Sequence, residues 1–151
     1  MSTIITSSNT YMPILCRELE YAPTALAVCI VCADSNTLEP VAGVVYDCYN
    51  GETIHAHIWI AKGRKPSREW FCAIFDYPFN RCGVGKIIGQ VRSSNSDARR
   101  LDEHFGFVQE AEVASYYPDG SSLLVYTLTR EQCRVLNSKA WAQTVQSVKG
   151  V

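Results

Sequence analysis

The stretch Asn95-Ser96-Asp97-Ala98-Arg99-Arg100-Leu101-Asp102-Glu103-His104-Phe105-Gly106-Phe107 governs how the rest of this chain is read. Asn95 is a strong helix N-cap, because its side-chain oxygen accepts an otherwise orphaned amide of the first turn. Ala98, Leu101 and Phe105 recur at helical spacing and form one apolar face. Gly106 suits the left-handed residue that ends a helix, and Phe107 restarts an extended run. Directly upstream, Lys86-Ile87-Ile88-Gly89-Gln90-Val91-Arg92 is an apolar, strand-like segment. The local order is strand, capped helix, strand.

Working outward, residues 11–19 read as a short helix that begins near Pro13. Residues 25–32 form a buried strand, Asp34-Ser35-Asn36-Thr37 a turn, and residues 41–46 the next strand. Asn50-Gly51 is the strongest hairpin signal in the chain, and residues 53–60 follow as a strand. A basic loop, Lys62-Gly63-Arg64-Lys65-Pro66, leads into a helix over 67–79. Past Phe107, Pro118-Asp119-Gly120 turns into a last strand over 121–128, and a final helix starts near Thr129, whose hydroxyl can cap it. A meander of antiparallel strands followed by a β-α-β-α unit and a closing hairpin fits an α/β (α+β) fold. Its sheet is mixed, mostly antiparallel, with helices on both faces. Residues 1–136 make one domain, and 137–151 a polar tail or short helix with Trp141 and Val145 at helical spacing.

The bulk properties exclude several classes. At 151 residues the chain is one domain, and its net charge of −1 gives no general attraction to nucleic acid or an anionic membrane. The basic cluster at 62–68 is too short to change that expectation. No apolar run approaches the roughly 20 residues that span a bilayer, and the N-terminus lacks the pattern of a signal peptide. The expected location is a reducing cytoplasm, where the seven cysteines are free thiols. Cys29-Ile30-Val31-Cys32 is formally C-x-x-C, but residues three apart on a strand face opposite sides and no second pair completes a metal set. No metal is expected.

The pattern N-x-x-A-x-x-L-x-x-x-x-G-F at 95–107 resembles the segment linking the fifth strand, fourth helix and sixth strand of the GNAT (Gcn5-related) N-acetyltransferase superfamily. A second block, Ser67-Arg68-Glu69-Trp70-Phe71-Cys72-Ala73-Ile74-Phe75-Asp76-Tyr77-Pro78-Phe79-Asn80, resembles GNAT-like proteins of tailed bacteriophages and prophages. Together the similarity spans roughly residues 25–136. It implies a GNAT-like fold and an acetyl-CoA-dependent N-acyltransferase, of phage or prophage origin, acting directly on an unidentified primary amine in a bacterial cytoplasm.

Such transfer needs amides at a helix N-terminus for the coenzyme's pyrophosphate, a donor for the thioester oxyanion and a base for the amine. The resemblance places the pyrophosphate at Gly63, Arg64, Lys65, Ser67 and Arg68. The usual R/Q-x-x-G-x-G/A is absent there, and Lys65 stands where a small residue normally admits the phosphate. Asn95 and Ala98 would contact the pantetheine arm, although capping alone also accounts for Asn95. Gly83-Val84-Gly85-Lys86-Ile87-Ile88-Gly89 imitates a phosphate loop, but a strand follows it, so it reads as a helix end and turn. On the strand 53–60, alternation puts His55, His57 and Trp59 on one face, and the resemblance makes His57, or else His55, the base. Many members carry an acidic tyrosine directly after the motif's leucine, where this chain has Asp102. An ionised carboxylate cannot protonate a thiolate unless its pKa is raised strongly, which leaves Tyr116, Tyr117 and Tyr126 as stand-ins. The altered loop and the missing tyrosine also suit a second reading. In it the fold is kept without turnover for a structural or assembly role in a virion, with a second copy or phage structural proteins as partners.

Overall fold

The computed structural model describes residues 2–138 together with Trp141 and Thr144. These form a seven-stranded sheet in the order β1-β2-β3-β4-β5-β7-β6. The strands are β1 (Thr3–Thr6), β2 (Val28–Asp34), β3 (Pro40–Asp47), β4 (Thr53–Ile60), β5 (Lys86–Arg92), β6 (Val108–Val113) and β7 (Leu123–Thr129). The helices are α1 (Met12–Leu19), α2 (Arg68–Asp76), α3 (Ser96–Phe105) and α4 (Arg134–Asn137). All neighbouring strands are antiparallel except β4 and β5, so the expected mixed, mostly antiparallel sheet is present.

Alternation along β3 and β4 divides the core into two faces. Ala42, Val44, Tyr46, Ile54 and Ala56 join α2 and α3 through Trp70, Phe75 and Phe105. Val45 and Trp59 point the other way, onto Leu15 of α1 and Val31 of β2. Helices therefore cover both faces. Side chains such as Trp70 and Phe75, essentially fully buried, each contribute on the order of 1.5–3 kcal/mol, and they fix α2 against the sheet. Gly43 allows α1 to lie close, since a β-carbon there would sit 2.4 Å from Leu15 Cδ2.

The capping residues act where the sequence places them. Asn95 Oδ1 accepts from Ala98 N at 3.1 Å, Ser67 Oγ accepts from Trp70 N at 3.2 Å, and Gly106 closes α3 at φ 106°. Asn50 Oδ1 accepts from Thr53 N at 2.8 Å in the β3–β4 turn. Strands 53–60 and 86–92 keep their expected ends.

Other boundaries shift for local reasons. Strand β2 starts at Val28 rather than 25, because Thr24 is tied to Asp47 and Ala27 N closes a turn onto Thr24 O. Strand β7 starts at Leu123 rather than 121, because Asp119 Oδ1 accepts from both Ser121 N and Ser121 Oγ. The helix expected over 67–79 stops at Asp76, and Pro78 lies in a wider turn, Tyr77–Arg81, closed five residues back by Cys82 N on Tyr77 O at 3.0 Å. Thr129 Oγ1 accepts from Gln132 N at 3.3 Å, but the helix proper begins only at Arg134. Strand β1, which pairs with β2 at the sheet edge, was not anticipated. Cys29 and Cys32 lie on opposite faces, and all seven cysteines are free. No described helix is long and apolar enough to cross a membrane. The expected tail helix from 137 falls mostly outside the described residues.

Candidate active-site cleft

The parallel pair β4–β5 is the origin of the site. Its register holds for three positions, Thr53 with Lys86, Ile54 with Ile87 and His55 with Ile88. Beyond that the strands diverge, and residues 56–60 and 89–92 become opposite walls of a cleft of about 730 Å³. Asn95, Ala98, Leu101 and Asp102 of the α3 segment line one side, and Glu18, Glu20 and Tyr21 at the end of α1 line another. Tyr116 and Tyr117 border the opening from the β6–β7 loop. Diverging strands leave backbone amides and carbonyls without a strand partner, and such groups need partners when water is displaced.

His57 enters the cleft from β4. Its ring stacks on Tyr21 with centroids 3.9 Å apart, and among the described residues no group hydrogen-bonds its buried Nε2. Burial, with His55 adding to it, lowers its pKa to about 4, so the imidazole is neutral at pH 7. His55 shares that face but does not line the cleft; it pairs across the sheet with Asp47, and burial lowers its pKa as well.

Sequence reasoning missed the pair that holds Tyr21 in place. Asp47 is only 3% exposed and accepts from Tyr21 Oη at 2.6 Å, Thr24 N at 2.8 Å, Thr24 Oγ1 at 2.6 Å and Cys48 N at 2.9 Å. Burial alone would raise its pKa, but these donors outweigh it and hold the carboxylate at about 2. An aspartate ending a buried strand opposite a strand of histidines was the available signal. Its partners lie 23 and 26 residues away, beyond any local pattern.

Asp102 is the opposite case. It is 8% exposed, and an added β-carbon on Gly89 of β5 would stand 3.5 Å from its Oδ2. Burial and then Glu103 raise its pKa to about 7. The carboxyl is thus held well above the range of an exposed aspartate. Tyr116, named above as a stand-in, is 54% exposed at the rim and packs edge-on against Tyr117. Tyr117 is covered by Arg92, whose guanidinium lies 4.1 Å from the ring centroid and 3.6 Å from Asp119. Tyr126 Oη donates to Glu103 Oε1 at 3.1 Å and does not line the cleft.

The structure brings His57, Asn95, Ala98 and Tyr116 to one cleft and leaves Gly63, Arg64, Lys65, Ser67 and Arg68 outside its lining. Gly63 adopts φ 73° in the turn. Arg64 Nη2 lies 3.8 Å from Asp34 Oδ2, and Arg68 stands 4.2 Å over the Trp141 ring. Ser67 caps α2, and Lys65 is exposed.

Comparison with solved structures decides the fold. A mutant form of the spermidine/spermine N-acetyltransferase SpeG from Vibrio cholerae superposes with TM-score 0.71 at 15% identity, over 91% of this chain and 99% of that one. The fold is that of the GNAT N-acetyltransferases. A dodecameric spermidine N-acetyltransferase from the same organism gives TM-score 0.70 at 16% identity, over 91% and 98% of the two chains. Ribosomal-protein-S5-alanine acetyltransferase from Vibrio fischeri gives 0.65 at 14%, over 88% and 96%. No protein-family model matches the chain, and no curated protein matches its sequence. None of these likenesses bears on a phage origin or a virion role.

Proposed function

We propose that this protein is a coenzyme-A-dependent N-acyltransferase that moves an acetyl group directly to a primary amine. The observation that carries the proposal is the cleft between the diverging ends of β4 and β5, inside a GNAT fold. The pantetheine arm of acetyl-CoA has two amide groups. Lying between the strands, it pairs with backbone groups that have lost their strand partner, in the manner of an added strand. The thioester then lies in the cleft with His57, whose neutral imidazole takes a proton from the attacking amine, directly or through water. Glu18 and Glu20 at the α1 end suit an amine that arrives protonated. The pyrophosphate is assigned to the N-terminus of α2 and to 63–68, where the helix dipole favours an anion.

Titration calorimetry with acetyl-CoA, thiols kept reduced, tests this reading. The expected result is micromolar binding that weakens about tenfold when Arg64 and Lys65 are both changed to alanine. No heat of binding at millimolar acetyl-CoA would sink it. One observation favours the alternative, a GNAT-fold assembly protein without turnover, here of phage or prophage origin. Arg64 and Arg68 already have partners within the chain, which a bound coenzyme would have to displace.

A further inference from the structure

Tyr21 is pinned along its whole length. Its backbone N–H donates to Cys16 O at 2.9 Å, directly after the left-handed Glu20 that ends α1 at φ 52°. Its hydroxyl donates to Asp47 Oδ2 at 2.6 Å. Between these two ties, its ring lies on the His57 imidazole, with centroids 3.9 Å apart and planes 27° from parallel. Asp47 does not depend on that hydroxyl for its charge, since Thr24 N, Thr24 Oγ1 and Cys48 N also donate to it. What the Tyr21 bond fixes is the ring. Burial and then Asp47 push the Tyr21 pKa up, so the phenol keeps the proton it donates.

A ring stacked on an imidazole covers one face and leaves the edge free. In His57 that edge carries Nε2, a buried nitrogen without a hydrogen-bond partner among the described residues. A buried polar nitrogen left unpaired carries a desolvation cost, and packing alone would be better served by an apolar side chain. The nitrogen's lone pair lies in the ring plane, so fixing that plane fixes the line along which an N–H must approach.

The charges around His57 suit a base that is neutral at rest. Burial and then His55, on its own strand, lower its pKa, and Asp47 of β3 opposes them. Glu18 and Glu20 at the end of α1, Asp97 and Asp102 of α3 and Arg92 of β5 line the same cleft, but none of them is among the causes that shift His57. Asp97 is paired with Arg100 and Arg92 with Asp119. At the opening, Tyr116 packs on Tyr117, which Arg92 covers. When a proton arrives, the Tyr21 ring face and the Asp47 anion behind it both favour the imidazolium.

We propose that Tyr21, anchored by Asp47, is the positioning residue for His57: it shields one face of the imidazole from water and sets the plane in which Nε2 receives the proton of the acceptor amine. This rests on the acyltransferase reading, to which it adds the group that orients the base. The amine nitrogen bonds to the thioester carbonyl carbon, and one of its protons moves to Nε2. The carbon–sulfur bond breaks with its electron pair on sulfur. Amide, thiolate and imidazolium result; the imidazolium returns its proton to solvent and the thiolate takes one from it. Tyr21 touches none of the reacting atoms and acts only through the histidine.

The test pairs an imidazole titration with turnover. It compares wild type with Tyr21→Phe, which keeps the ring and loses the tie, and with Tyr21→Ala, which loses both. Acetyl-CoA binding is measured first by calorimetry. The three histidines are then titrated by NMR on labelled imidazole from pH 8 to 4.5, with His57→Asn identifying the His57 signal. Acetylation of hydroxylamine, a small nucleophile largely uncharged at neutral pH, is followed at pH 7.5. His57 is expected to stay largely neutral down to about pH 5 in wild type and Tyr21→Phe, and to titrate closer to its ordinary 6.5 in Tyr21→Ala. The expected fall in kcat is about tenfold for Tyr21→Phe and on the order of 10²-fold for Tyr21→Ala, with the KM for acetyl-CoA within about twofold of wild type in both. If wild type binds no acetyl-CoA, the acyltransferase reading falls and takes this one with it. If wild type binds and acetylates hydroxylamine while Tyr21→Phe keeps its kcat within about twofold, only the Tyr21 assignment is overturned. Wild type that binds but does not acetylate hydroxylamine overturns it equally. So does a wild-type His57 that titrates near 6.5, whether or not Tyr21→Ala folds.

Discussion

Two buried aspartates, Asp102 in the lining of the β4–β5 cleft and Asp47 behind its Tyr21, ionise in opposite directions. Asp47 and Asp102 are similarly hidden, 3% and 8% exposed, yet one is held at about 2 and the other pushed to about 7. Burial acts on both in the same sense. The difference is the set of donors: Asp47 accepts four hydrogen bonds, and Asp102 has none among the described residues. Asp47 is thus a fixed anion that ties the α1 end, and Tyr21 with it, to the sheet beside His57. Asp102 is left as an acid with a removable proton. Donor supply, more than depth, separates a structural carboxylate from a chemically available one.

The comparison breaks most completely if the α3 wall is lost. Gly106 holds φ 106°, and a β-carbon there would come 2.0 Å from the Gln132 backbone carbonyl. Gly106→Ala should therefore cost about 3–4 kcal/mol, adding left-handed strain to overpacking that backbone cannot relieve cheaply. A urea titration checks it, and a loss below 1 kcal/mol would show that α3 can shift away from the turn before α4. The next largest effect should be at Asp47, which holds Tyr21 in place. Asp47→Asn places amide hydrogens against the Thr24 donors, and at pH 7 should cost about 2–3 kcal/mol. The same change at Asp102 should stay within about 1 kcal/mol, because no donor depends on that carboxyl. Equal costs at the two sites would mean that hidden donors serve Asp102.

Much of the cleft could be read from the chain. The ends of β4 and β5, the Asn95 cap and the Gly106 stop are encoded within a few residues by alternation, capping and conformational freedom. They fix where the splay and its α3 wall lie. The side on which His57 sits followed from period two alone. The tie from Asp47 to Tyr21 and Thr24 was not legible, because it joins segments more than 20 residues apart. Nor was the proton on Asp102, since it depends on donors that are missing, and a sequence does not display missing partners. The loop 63–67 was read as a phosphate site from its position between β4 and α2. The loop does lie between those two elements, but its side chains fold back, Arg64 to Asp34 and Arg68 to Trp141, through contacts no local pattern specifies.

A smaller change probes how closely α1 is set against the histidine strand. Gly43→Ala should cost about 1–2 kcal/mol as overpacking, because the Leu15 methyl 2.4 Å from the new β-carbon belongs to a side chain that can partly move. Combined with Leu15→Ala, the two changes should show a favourable coupling of about 1 kcal/mol in a double-mutant cycle, read by urea unfolding. Purely additive losses would mean that α1 translates as a whole.

The finest discrimination comes from the pH dependence of stability. His57 titrates near 4 in the folded chain against an ordinary 6.5, so the unfolded chain binds the extra proton between those values. Its contribution is complete above pH 6.5 and is lost as pH falls through 4. Asp102 titrates near 7 against an ordinary 3.8, so here the folded chain holds the extra proton. Its contribution is complete below pH 3.8 and is lost as pH rises through 7. Between pH 4 and 6.5 the two slopes oppose each other, each reaching at most about 1.4 kcal/mol per pH unit, and in wild type they nearly cancel. Asp102→Asn uncovers the histidine, so that variant should lose stability relative to wild type as pH falls from 6.5 to 4. His57→Asn uncovers the acid, so it should gain stability relative to wild type over the same fall. Urea midpoints taken every half pH unit decide it. Relative slopes of the same sign in both variants would mean that at least one of the groups is ordinarily ionised in the fold, and the contrast between an anchored and an unpaired aspartate would have to be redrawn.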